Sequence, residues 1–260
     1  MLKKEIRVAS MAARTAGNIL KEKFGAVNHV RKKGVIDLVT EADLEAEKAI
    51  LDIIRHHFPE DHVLSEEAGN QGQSSNRIWL IDPLDGTTNF THGFPFFAVS
   101  IALEIEEQLM LGVVYNPYLE EYFEAVKGSG AFLNRRPIQV SRTNTIEDAL
   151  LATGFPYNIH EHPEAVLEKF ARVIVKAQGI RRPGSAAVDL CYVACGRMDG
   201  FWEEGLNPWD TAAGTLILSE AGGLLSTFEG NRYTPYKDSI VAANPELMKA
   251  LLHILNRKAF

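Results

Sequence analysis

At 260 residues with 46% hydrophobic side chains, the chain has enough apolar material for a large core, and one domain over residues 1–260 is expected, with a weak subdivision near residue 145. Its net charge of −7 excludes a broad electrostatic attraction to nucleic acid or anionic lipid, so an anionic substrate would have to be met with metal ions. No run approaches the roughly 20 apolar residues of a membrane span, and the first residues lead into an amphipathic pattern, so a cytoplasmic protein is expected.

Leu2, Ile6, Ala9, Ala13, Ala16, Leu20 and Phe24 recur at helical spacing until Gly25. Thr40, with Asp43 in capping-box position, opens a second helix that runs to Phe58 before Pro59. Residues Gly69 to Asn76 are polar and read as loop. The runs Ala98–Leu103, Leu109–Tyr115, Tyr122–Val126 and Ala131–Val140 are short, apolar and separated by turn residues, which predicts an antiparallel meander. The second half alternates instead: a helix from about Pro163 to Lys176, a run from Gln178 to Arg182, a small-residue helix from Ser185 to Cys195 and a strand around Asp199 to Glu203. Cys191 and Cys195, without a second pair, read as buried reduced thiols rather than a zinc site. Asn207-Pro208 and Asn244-Pro245 each supply an N-cap and first helical position, the first for a helix ending at Gly222-Gly223, the second for the last helix after a strand at Ile240–Ala243.

The chemistry concentrates in Trp79 to Phe90. Ile78, Leu80 and Ile81 suit a buried strand, which places Asp82 at a sheet's carboxyl end, where α/β proteins bind ligands. Pro83 bends the chain so that Asp82, the Leu84 carbonyl and Asp85 can converge on a hard cation, while Gly86 and Thr87 expose amides suited to an anion. The same residues also suit a solvated turn. Glu66 and Glu67 follow a short apolar run, Asp43 is accounted for by its capping box, and Asp210 by its place in the first turn after Asn207. The number of acids at element ends still points to more than one cation, and oxygen-only ligands select magnesium or manganese. A phosphatase with an aspartate nucleophile, of the haloacid-dehalogenase type, is disfavoured because two residues rather than one separate Asp82 from Asp85.

With these residues in place, the chain resembles the inositol monophosphatase family of metal-dependent sugar phosphatases. The resemblance rests on Trp79-Leu-Ile-Asp82-Pro-Leu-Asp85-Gly-Thr87-Thr-Asn-Phe90, Trp209-Asp210-Thr-Ala-Ala-Gly214 and Glu220-Ala-Gly-Gly223, supported by Asp37-Leu-Val-Thr-Glu-Ala-Asp43, Ser65-Glu66-Glu67 and Gly184-Ser-Ala-Ala187, and spans about residues 5 to 255.

The resemblance implies a layered αβαβα sandwich, a homodimer, two to three magnesium ions and inhibition by lithium. It implies that Glu66, Asp82 and the Leu84 carbonyl hold one ion, that Asp82, Asp85 and Asp210 hold a second, and that Glu66 contributes to a third. On the same pattern Thr87 and Asp43 activate water, Gly86 and Thr87 offer amides to the phosphate, and Lys32, next to Lys33, aligns with a lysine near the third metal. Ser185, Ala186 and Glu203 fall where the family contacts sugar hydroxyls. A phosphorylated polyol or sugar is therefore the expected partner, with inositol 1-phosphate first and fructose 1,6-bisphosphate, a nucleotide 3'-phosphate or a regulatory role on the same fold as alternatives. Glu203 reads otherwise as a surface acid beside Glu204, and Arg181 and Arg182 fit either a second phosphate or a dimer interface.

Overall fold

The computed structural model describes residues 2–25, 30–32, 38–72, 75–161 and 163–256. In chain order these give α1 (Lys3–Lys23), β1 (Val30–Lys32), β2 (Leu38–Thr40), α2 (Glu41–His57), β3 (His62–Ser65), β4 (Gly69–Gln71), β5 (Arg77–Asp85), α3 (Thr87–Thr91), β6 (Ala98–Ile105), β7 (Gln108–Asn116), β8 (Glu121–Val126), β9 (Ala131–Leu133) and β10 (Arg136–Pro137). There follow β11 (Leu150–Thr153), α4 (Pro163–Ile174), β12 (Gly179–Arg181), α5 (Ala186–Ala194), β13 (Gly200–Glu204), α6 (Pro208–Glu220), β14 (Leu224–Ser226), β15 (Ser239–Ala243) and α7 (Pro245–Leu255).

Strands β3 to β10 build an eight-stranded sheet in the order β10-β9-β8-β7-β6-β5-β3-β4, antiparallel except for β3 with β5, while β1 and β2 form a two-stranded sheet of their own. Those of the second half build a five-stranded sheet, β12-β11-β13-β15-β14, in which β11 runs parallel to both neighbours. Strand alternation sorts the layers. Trp79 and Ile81 of β5 share a core with Ala12, Ala16 and Leu20 of α1 and Ile50 and Ile54 of α2, while Leu80 between them joins the core formed with α5 and α6. The small sheet repeats the logic: Phe201, Ile240 and Ala242 face α5 and α6, and Trp202, Val241 and Ala243 face α7. The result is an αβαβα sandwich.

Packing rather than propensity holds the middle layer. Helix α6 is buried continuously from Thr211 to Leu218, as a helix between two sheets must be, and each fully buried large aliphatic side chain there contributes roughly 1.5–3 kcal/mol. The Thr40–Asp43 capping box forms as expected.

Three expectations change. Gly69–Gln71 is not loop but an edge strand, because β3 supplies it with a hydrogen-bonding partner that its polar sequence does not announce. Leu150–Thr153, outside every element predicted from sequence, forms a strand between β12 and β13. The run Ala131–Val140 splits into β9 and β10 around Asn134 and Arg135, both at positive φ. No described helix is long and apolar enough to cross a membrane.

Candidate active site

Strand β5 pairs regularly with β6 as far as Asp82 opposite Ser100, then shifts register and resumes at Asp85 opposite Ala98. This irregularity lifts Pro83 and Leu84 out of the ladder and re-aims the strand end, the usual effect of a bulge beside a site. The Leu84 amide donates to Asp82 Oδ1 at 2.9 Å. Gly86 follows at φ +97°, and a Cβ there would lie 3.0 Å from the Phe96 carbonyl oxygen and 3.2 Å from that of Gly184, so only glycine passes. Helix α3 begins at once, leaving its leading amides without intrahelical acceptors.

Thr87 has one hydroxyl proton and two acceptors within reach, the Leu84 carbonyl at 3.0 Å and Asp43 Oδ1 at 3.1 Å. The other Asp43 oxygen accepts from the Thr40 amide at 2.8 Å and from the Thr40 hydroxyl. The capping explanation of Asp43 is therefore correct but incomplete, since one carboxylate caps α2 and meets Thr87. Burial raises the Asp43 pKa to about 6, against the opposing pull of its hydrogen bonds from Thr40 and Thr87.

Glu47, one turn further along the buried face of α2, was not singled out by its sequence. Its Oε1 accepts from the Ser65 hydroxyl and from the amides of Glu67 and Ala68 at 3.0 and 2.9 Å. The chain around Glu66 is thus clamped from below, while the Glu66 amide donates to the Ile81 carbonyl at 3.1 Å, beside Asp82. An acid on the apolar face of an otherwise amphipathic helix is the available signal.

The opposite wall comes from the second half of the chain. Asp85 Oδ2 accepts from the Ser185 hydroxyl at 2.6 Å and the Ala187 amide at 2.7 Å. Asn89 Nδ2 donates to the carbonyls of Phe96 and Pro183 at 2.7 and 2.8 Å, which ties α3 to the Gly184–Ser185 turn. Asp210 Oδ2 accepts from the Asn207 amide at 2.7 Å. Glu203 is buried rather than a surface acid, and the cause is Gly154: a Cβ at that position would sit 2.1–2.2 Å from the Glu203 carboxylate. Arg182 lines the same pocket.

Glu66, Asp82, Leu84, Asp85, Gly86, Thr87, Ser185, Ala186, Glu203 and Asp210 all line this one pocket, with Asp43 joined to it through Thr87. Lys32 and Lys33 lie outside the residues whose side chains are described. Burial, then repulsion from Glu66, Asp85 and Asp210, drives the Asp82 pKa well above the carboxylate range; Asp210 rises for the same reasons, burial first and Asp85 second. Asp85 rises to about 6 through burial, held back by Ser185 and Ala187. Glu203 rises to about 8, with burial first and Arg182 opposing it.

A set of four carboxylates and one carbonyl, without nitrogen or sulfur, fits hard divalent cations, and the mutual repulsion is what such cations relieve. Among the described residues no three such side chains already converge as a closed cage; the donors are spread along the pocket wall. Asp189 was also missed. It is buried on α5, burial raises its pKa well above the usual range, and its Oδ1 has no hydrogen-bond partner among the described residues.

Comparison with known proteins adds three findings. The model of the inositol monophosphatase family matches residues 1–259. The inositol-1-monophosphatase of Synechocystis is 45% identical over 96% of this chain and 88% of its own length, and the Nus factor SuhB of Escherichia coli is 42% identical over 95% and 94%. Among solved structures, the extragenic suppressor protein suhB of Bartonella henselae superimposes with a TM-score of 0.95 at 42% identity, covering 99% of this chain and 100% of that one, and the inositol monophosphatase of Anabaena with 0.90 at 40% identity, covering 98% and 96%.

Proposed function

Because the chain belongs to the inositol monophosphatase family, we propose that it is a magnesium-dependent phosphomonoesterase that hydrolyses inositol 1-phosphate to inositol and phosphate. The observation that carries this reading is that Glu66, Asp82, Asp85 and Asp210 line one pocket with the Thr87–Asp43 pair at its edge. Glu66, Asp82, the Leu84 carbonyl, Asp85 and Asp210 would hold two to three magnesium ions, with manganese a competent substitute. Bound there, the metal supplies neutralisation of phosphoryl charge and acidification of water.

The chain's own residues do the rest. Thr87 takes a proton from attacking water while its own passes to Asp43, whose pKa of about 6 leaves it ionised and receptive at neutral pH. The Gly86 and Thr87 amides orient the phosphate, and the rigid glycine turn fixes their direction. Ser185 and the Ala187 amide hold Asp85, Ser185 and Ala186 border the polyol, and Glu203, enclosed beside Gly154, reaches its hydroxyls. A polar acid held in a shaped pocket discriminates strongly between hydroxylated and bare substrates, because a buried polar group left unpaired is costly.

We further assign the protein to the cytoplasm as a homodimer of one domain per chain, sensitive to lithium. The relatives named Nus factor SuhB favour a second, regulatory role on the same fold.

The test is phosphate release from inositol 1-phosphate, fructose 1,6-bisphosphate and adenosine 3',5'-bisphosphate across a magnesium titration, with and without millimolar lithium. Magnesium-dependent turnover strongest on inositol 1-phosphate is expected, with a loss of about 10³-fold or more in Asp82→Asn. Preference for another phosphate would replace the substrate, and silence on all three would leave the regulatory role.

A further inference from the structure

A groove of about 510 Å³ opens between α1, β8 and the turn joining β9 to β10, and it shares no lining residue with the active-site pocket. Arg7, Ser10 and Arg14 fall at i, i+3 and i+7 along one face of α1, and Arg135 enters from the turn. Tyr122 and Ser10 join hydroxyls at 2.5 Å. The Arg14 guanidinium lies over the Tyr122 ring, 4.4 Å from its centroid, and 5.5 Å from that of Tyr115, so it is already oriented before any ligand arrives.

The charges do not cancel. Glu124 is the acid that lines the groove; burial raises its pKa while Arg14 and Arg135 draw it down. Three guanidiniums against one carboxylate leave about +2 in a chain whose net charge is −7. None of the three arginines makes an ion pair among the described residues, although Arg77, Arg172 and Arg197 all do.

The turn adds an independent observation. Asn134 and Arg135 occupy φ +48° and +67°, the geometry of a two-residue hairpin turn whose second position strongly prefers glycine. An arginine there retains a strain that glycine would relieve, and what it contributes in return is a guanidinium at the groove.

We propose that this groove is a binding site for a small phosphate-bearing molecule, with Arg7, Arg14 and Arg135 taking the phosphate and the Ser10–Tyr122 hydroxyl pair supplying a further hydrogen bond. A surplus of two positive charges matches a phosphate dianion, and guanidinium forks match its oxygens. The volume suits a small ligand rather than a macromolecular surface.

The experiment is calorimetric titration of inorganic pyrophosphate into the full chain without added magnesium, where the active-site acids repel anions. Saturable binding is expected, weakened about tenfold in Arg14→Ala and in Arg135→Gly. Arg135→Gly also separates contact from fold, because glycine suits the positive φ and its Tm should equal or exceed wild type. No binding at millimolar pyrophosphate, or binding that neither substitution weakens, would overturn the proposal. A tetraglutamate peptide that binds more tightly than pyrophosphate with the same arginine dependence would overturn it too, in favour of an acidic protein segment.

Discussion

The two walls of the active-site pocket use the same residue types under different constraints. On the β5 wall the acids are held by hydrogen bonds: Asp82 by the amide two residues on, Asp43 by its own helix cap and Thr87, and Asp85 by Ser185 and Ala187 across the pocket. On the facing wall Asp210 is held by the Asn207 amide, whereas Glu203 is enclosed where Gly154 lacks a side chain, so its place depends on long-range packing. The difference suggests a division of labour. Carboxylates wired by hydrogen bonds are fixed rigidly for chemistry, whereas one enclosed by packing can meet a different occupant without disturbing them.

The largest effect that would sharpen this contrast is on Thr87. Thr87→Ala should lower kcat by about 10²-fold with little change in KM, and Thr87→Ser should restore most of it, since the hydroxyl rather than the methyl carries the proton. A KM effect of equal size would make Thr87 a binding residue. Next comes the packed wall: Gly154→Ala forces a methyl against the Glu203 carboxylate and should cost about 1–3 kcal/mol, read as a fall in Tm, with a raised KM for inositol 1-phosphate. An unchanged Tm and KM would show that Glu203 has room to spare.

The broadest effect is on pH. Asp43, Asp85 and Glu203 have folded pKa values raised to about 6, 6 and 8, above the ordinary carboxylate range, so the folded state binds more protons than the unfolded one. Their contribution to stability is therefore full at low pH and is lost as pH rises from roughly 4 towards 8, by up to about 1.4 kcal/mol per unit per group. Metal-free protein should lose Tm over that range, and saturating magnesium should flatten the slope. A Tm that climbs with pH in the metal-free protein would contradict the burial assigned to these acids.

How much of this was legible in the sequence follows the same division. The bend after Asp82, Gly86 and the helix caps of Asp43 and Asp210 lie within a few residues of the groups they serve, so periodicity and turn chemistry find them, whereas the Thr87–Asp43 pair, 44 residues apart, is reached only through the family resemblance. The sandwich was likewise foreshadowed by the alternation of helices and strands in the second half and by the family resemblance. Glu47, Asn89, Gly154 and Asp189 were not legible, because each acts on a partner far along the chain that only the fold brings near. Strand β4 was hidden for a related reason: a polar edge strand is specified by its neighbour β3, not by its own composition.

The most direct measurement is steady-state hydrolysis of inositol 1-phosphate and of p-nitrophenyl phosphate by Glu203→Gln, in saturating magnesium. If the hydrogen-bonded acids carry the chemistry and Glu203 meets the substrate, kcat/KM should fall about tenfold on inositol 1-phosphate and stay unchanged on the aryl phosphate, which has no hydroxyls to meet Glu203. Equal losses on both substrates would place Glu203 in the reaction itself and contradict the division.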